Sequence, residues 1–252
     1  MDAIRIAVVT LAAVWGAATG LLIPRAAYRF SVEPEEAWRD ACPAGHPFSA
    51  TGPSRGWLGA AGCRACTADG SATAPYAPQV LLAAVTASAC ALLAAATGTR
   101  PELAVWLLLA PVAVLLAAVD HRVYRLPDQL TLPLAGAAAV LLGVVSLLPE
   151  HGGSWSGALL GGAALGCFYL VLYLINPNGM GRGDVKLALS LGVVLGWYGW
   201  PVLVAGGFAG FLYGAVYGLG LLVLRRANRR TGIPFGPFMI AGALTGVVLG
   251  AL

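Results

Sequence analysis

Apolar residues in this chain come in long unbroken blocks, and polar residues gather in the gaps between them. The blocks run over 4–24, 78–97, 102–120, 129–148, 157–175, 201–224 and 235–252, with a shorter one at 185–198. About 20 apolar residues in a helix cross the ~30 Å hydrocarbon layer of a bilayer. No block alternates polar and apolar positions as the strands of a membrane barrel do, so the blocks predict helices. The block at 185–198 counts as a span, because omitting it puts its two flanking loops on the same side of the membrane. The pattern predicts an all-α polytopic membrane protein, a bundle of about eight transmembrane helices. It divides into a first helix (1–24), a loop domain (25–77) and a bundle (78–252). Arg5 and the apolar run after it also suit a secretory signal, but the run exceeds the usual apolar core of one and Asp2 dilutes its basic start; it is read as a span.

Composition agrees: 59% of residues are hydrophobic and 10% charged, so the lipid bilayer is the expected solvent. Charge then orients the bundle. With the N-terminus outside, the loops at 25–77, 121–128, 176–184 and 225–234, together with Lys186, hold thirteen of the fifteen basic residues. Only Arg5 and Arg100 fall on the other side. That asymmetry places those loops in the cytoplasm. The cluster RRANRR (225–230) reads as a topology anchor, and no nucleic-acid partner is expected.

Eleven acids remain to be sorted. Asp2, Glu102 and Glu150 fall in or near outer loops, and Glu33, Glu35, Glu36, Asp40 and Asp69 in the first cytoplasmic loop. Asp120, Asp128 and Asp184 sit at cytoplasmic helix ends, where a carboxylate at the membrane boundary is costly and points to function. Each also has a structural reading. Asp128 in LPDQLTLP precedes an apolar run and suits an N-cap; Asp184 in NPNGMGRGDVKL can cap its own short helix, with Gly181 and Gly183 as turn formers. Asp120 ends an apolar run, where exposed helix carbonyls disfavour a carboxylate, although His121 and Arg122 soften that cost. The glycine loop is no phosphate cradle, since no Gly-Lys-Ser/Thr comes after it and no strand precedes it.

Cysteines mark a second locus. Cys63 and Cys66 in GCRAC have the spacing of two metal ligands, and Cys42 and His46 in ACPAGHPF complete a Cys3His set suited to structural zinc. A reducing cytoplasm keeps such thiols out of disulfides. The alternative is a loop without metal. Cys90 and Cys167 lie inside apolar runs and read as packing residues.

The blocks DHRVYRLPDQLTLPL (120–134) and GMGRGDVKLALSLGVVLGW (179–197), with IPFGPFM (233–239), resemble the prepilin peptidase family, the type IV leader peptidases among the GxGD membrane aspartyl proteases. The resemblance covers essentially the whole chain. It implies peptide-bond hydrolysis by Asp120 and Asp184 at the cytoplasmic face of a bacterial plasma membrane, on prepilin or pseudopilin substrates with short basic leaders. Two carboxyls brought together share a proton, one acting as base on water and the other polarising the scissile carbonyl, so no cofactor is needed for proteolysis. Asp120, at a helix C-terminus, is then the expected proton holder, and Asp184, at a helix N-terminus, the anion. Gly181, Gly183, Lys186, Pro127 and Asp128 are candidates for positioning substrate. EPEE (33–36) reads as a solvated charge run, though it has the charge to attract a basic leader.

The resemblance also raises S-adenosylmethionine-dependent methylation of the new N-terminus. Relatives carry two Cys-x2-Cys pairs in the loop, and this chain lacks the cysteine expected after Cys42-Pro43. An ion- or proton-coupled transporter is the alternative class, but the halves carry no inverted repeat and the acids lie at one face. Signal-peptide-peptidase-type enzymes use Tyr-Asp where this chain has Val119-Asp120. The particular pilin and the oligomeric state are not legible.

Overall fold

Every apolar block folds as a helix in the computed structural model, which describes residues 3–33, 35–48, 56–68, 70, 75–177, 179–224 and 232–252. The cluster RRANRR (225–230) lies outside the described residues. Ten helices form among those described: α1 (Ala3–Gly20), α2 (Ile23–Phe30), α3 (Arg64–Ala68), α4 (Gln79–Thr97), α5 (Glu102–Val123), α6 (Asp128–Val145), α7 (Trp155–Ile175), α8 (Arg182–Gly196), α9 (Trp200–Val223) and α10 (Gly236–Ala251). Among the described residues no strand accompanies them; one isolated bridge, Ala41 to Pro47, closes a turn in the cysteine loop. Six helices, α1, α4, α5, α6, α7 and α9, are long and apolar enough to cross a membrane. The other two expected spans, α8 and α10, have 15 and 16 residues and are shorter than the bilayer core is thick.

The first apolar block is broken where the sequence predicts one helix to residue 24. Pro24 sits in the first turn of a separate short helix, α2, which buries Ile23, Ala26 and Ala27 against Val114, Leu115 and Val119 of α5. Pro fits a first turn because the N–H it lacks has no partner there anyway. The other face of α2 carries Arg25 and Arg29, so it serves as the floor of the cysteine loop.

Lipid-facing and protein-facing sides differ sharply. Val80, Ile175 and Val223 stay more than 70% exposed, as expected where hydrocarbon is the surrounding medium. The most interior helix is α8, packed between α6, α7, α9 and α10. It approaches α7 through small residues: a Cβ added at Gly161 would lie 2.6 Å from the Gly192 carbonyl oxygen and 2.7 Å from the Gly196 Cα. Such contact lets backbones touch and supplies dispersion energy that burial from lipid does not. Inside α5, Pro111 cannot bond the Leu107 carbonyl, and the Trp15 indole of α1 donates to that oxygen at 2.8 Å. The freed backbone group is thereby satisfied by a neighbouring helix.

At the end of the bundle opposite the candidate acids, Glu102 departs from expectation. It is fully buried, accepting from the Gly152 amide at 3.0 Å with Arg100 3.9 Å away. Arg100 also donates to the Ala251 carbonyl, so this group joins the start of α5, the loop before α7 and the end of α10.

Candidate active site and metal centre

Asp120 sits in the last turn of α5, which ends at Tyr124 in a left-handed conformation. Asp184 sits in the first turn of α8. Both are buried, at 4% and 8% exposure. The helices bearing them are bracketed by α6 and α10, each of which contacts both.

Each carboxylate is held through one oxygen by a backbone amide. Gly181 N–H donates to Asp184 Oδ2 at 3.0 Å, so Asp184 does cap its own helix. Gly236 N–H, at the start of α10, donates to Asp120 Oδ2 at 2.9 Å. This second bond removes the premise of the expected asymmetry between the acids. Asp120 belongs to a helix C-terminus in sequence, yet its carboxylate lies on the N-terminus of another helix, where partial positive charge favours an anion. Both acids therefore face helix N-termini.

The two motif loops touch. A Cβ at Gly183 would meet the Leu126 Cβ at 2.8 Å, so the glycine admits the LPDQ segment and not a void. At Gly181 a Cβ would lie 3.3 Å from Asp184 Oδ2, a tight contact with the oxygen that its amide holds. Asp128 is not the N-cap expected of it: Pro127 holds that position, Asp128 opens α6, and its carboxylate pairs with Lys186 Nζ at 2.5 Å. That pair ties α6 to α8 at the half-exposed rim.

Sequence reading missed two residues here. Gly236 stands in IPFGPFM, a block to which no role was attached; Gly-Pro opening an apolar run was the available signal. Tyr169 of α7 gave none, being one aromatic among many. It is buried and stacked on Phe211 at 5.4 Å between ring centroids. Away from the acids, α4, α5, α6, α8 and α10 enclose an apolar cavity of about 90 Å³.

The cysteine loop gathers its four candidates. Cys42, His46, Cys63 and Cys66 have ligand atoms within 4.8 Å of one another. A tight turn folds Cys42 against His46, with Cys42 N–H donating to the His46 carbonyl at 2.9 Å, while Cys63 and Cys66 flank the start of α3. Cys42 and Cys66 sulfurs are 3.6 Å apart, and His46 Nδ1 lies 3.2 Å from Cys66 and 3.7 Å from Cys42. Thiolates ~2.3 Å from a tetrahedral zinc lie ~3.8 Å apart, so donor types and spacing fit a structural zinc. Burial pushes the Cys42 thiol up, but hydrogen bonds from the Ala44 and His46 backbone and from the neighbouring thiols pull it net below its usual value, toward the ligating thiolate. The loop is fastened beside Asp120 by the last turn of α5 and the segment after it: Arg122 donates to the Tyr76 carbonyl at 3.0 Å and Arg125 to the Glu33 carbonyl at 3.1 Å.

Comparison with known proteins gives the family. Residues 107–223 match the type IV leader peptidase family. A prepilin leader peptidase/N-methyltransferase of Aeromonas hydrophila is 38% identical over 213 residues, covering 81% of this chain and 69% of that protein. The protein of the same name from Aeromonas salmonicida is 38% identical over 210 residues, with the same two coverages. One from Pseudomonas aeruginosa is 38% identical over 134 residues, 52% of this chain and 43% of that protein. No solved structure matches at a significant level.

Proposed function

The chain belongs to the type IV leader peptidase family and is a peptidase; from that premise we propose that it removes the short basic leader of prepilins or pseudopilins at the cytoplasmic face of a bacterial plasma membrane, with Asp120 and Asp184 as its catalytic pair. The observation that carries this assignment is a pair of buried acids, remote in sequence, at helix ends whose motif loops touch, each anchored through Oδ2 by a backbone amide. In the proposed reaction the ionised member takes a proton from water as its oxygen attacks the scissile carbonyl carbon. The protonated member donates to the carbonyl oxygen. Collapse of the tetrahedral intermediate breaks the C–N bond as a proton passes to the leaving amine.

We count α8 and α10 as the seventh and eighth spans. As the most interior helix, α8 is covered by neighbours and need not match the full bilayer thickness. The thirteen basic residues assigned to one side support an active site facing the cytoplasm. A substrate whose leader precedes an apolar helix suits this site, because that helix remains in the bilayer while the junction reaches the acids. The apolar cavity between α5 and α8 offers part of the room it needs. At the rim, Gly183 admits the Leu126 segment and the Asp128–Lys186 pair sets α6 against α8, which is how we read their positioning role, together with Pro127 and Gly181.

Cys42, His46, Cys63 and Cys66 would hold zinc, which would cross-link the loop and take no part in hydrolysis. The relatives' name also includes N-methyltransferase, and we carry methylation of the new N-terminus as a second activity of this chain. Among the described residues of the loop no strand leads into a glycine-rich turn and helix of the kind that cradles S-adenosylmethionine in soluble enzymes, so no step is derived through that cofactor. Co-expression with a prepilin tests the main assignment. Leader removal by the wild type and its loss in both Asp120→Asn and Asp184→Asn is the expected result; full activity in either variant refutes that residue's role.

A further inference from the structure

The start of α10 has one amide to offer outward, and it is spent on Asp120. Pro237, at the second helical position, has no N–H; the amides of Phe238 and Met239 both turn back to the Phe235 carbonyl at 3.1 Å. Gly236 N–H alone reaches out of the helix end, to Asp120 Oδ2 at 2.9 Å in a buried setting. The residue there must also be small. A Cβ on Gly236 would lie 2.8 Å from that same oxygen and 3.2 Å from the Asp120 Cγ. The preceding Phe235 ring packs against the stacked pair of Phe211, at 5.2 Å, and Tyr169, at 6.2 Å, so α7 and α9 fix where α10 begins.

We propose that Gly236 is a positioning residue for hydrolysis: its amide, presented by the aromatically packed start of α10, holds Oδ2 of Asp120 so that the other oxygen is left for water and Asp184. This rests on the Asp120–Asp184 assignment. α10 is then a third component of the site although it carries no reacting group. Misplacing a catalytic group by about 1 Å costs on the order of 10²-fold in rate.

The test is steady-state cleavage of a purified prepilin by the full-length enzyme in liposomes. Gly236→Ala is expected to lower kcat by roughly 10- to 100-fold while KM stays within about twofold. Gly242→Ala, also on α10, is the control: its Cβ would press on the Gly206 carbonyl oxygen of α9 at 2.6 Å and would meet no atom of Asp120, so it strains packing without separating kcat from KM. Phe235→Leu, which adds no clash, is expected to lower kcat by a few-fold at constant KM, and is measurable if Gly236→Ala does not fold. An unchanged kcat in either Gly236→Ala or Phe235→Leu, or an equal effect of Gly242→Ala, overturns the proposal. Activity retained in Asp120→Asn removes the dyad and this proposal together. A dead Asp120→Asn beside a fully active Gly236→Ala removes the positioning role alone.

Discussion

The acid end of the bundle and the cysteine loop lie side by side, yet they are assembled in opposite ways. The loop's candidate ligands come from two short local turns, each legible as a spacing, and they converge side chain to side chain within 4.8 Å. The acid site is assembled from ends of three helices, and what secures each carboxylate is a backbone amide. Side-chain clusters of thiols and imidazole need an ion to hold them together. Helix ends packed by apolar surface need none, so each carboxylate is held by the same packing that makes the bundle.

That contrast can be broken at several strengths. Asp184→Asn removes a proposed reacting group and leaves the loop alone: a loss of roughly 10²- to 10⁴-fold in prepilin cleavage is expected, with zinc content by atomic absorption unchanged. Chelation, or Cys66→Ser, acts on the other side. It should abolish zinc retention and open the loop to limited proteolysis, while cleavage falls by no more than about tenfold, since the Arg122 and Arg125 tethers contact loop backbone and not the ligands. A loss as large as that of Asp184→Asn would show that the two regions are one unit. The smallest effect is expected from Asp128→Asn. Its pair with Lys186 is half exposed and worth roughly 0–1 kcal/mol, so cleavage should stay within a few-fold and thermal stability within a few degrees.

Much of this was readable along the chain. Eight helices lie over the eight apolar blocks, because a run of apolar residues in lipid has few alternatives to satisfying its backbone within one helix. Where reading stopped short, a neighbour distant in sequence intervened. Pro24 ended α1 early because α5 offered α2 a surface. Glu102, expected near solvent, is enclosed by Arg100 and the Gly152 amide. Asp128 was read as a cap from the chain before it, but Lys186, on another helix, took its carboxylate.

By itself, the sequence determined an apolar helical protein with one charged side, a cysteine-histidine set of zinc spacing and two motif acids at helix ends. These stem from hydropathy and local spacing, which act over a turn or a span. Only the tertiary structure decided the electrostatic setting of those acids. The amide that holds Asp120 lies 116 residues away, and a helix end exerts its partial charge on whatever packing brings to it, not on what precedes it in the chain.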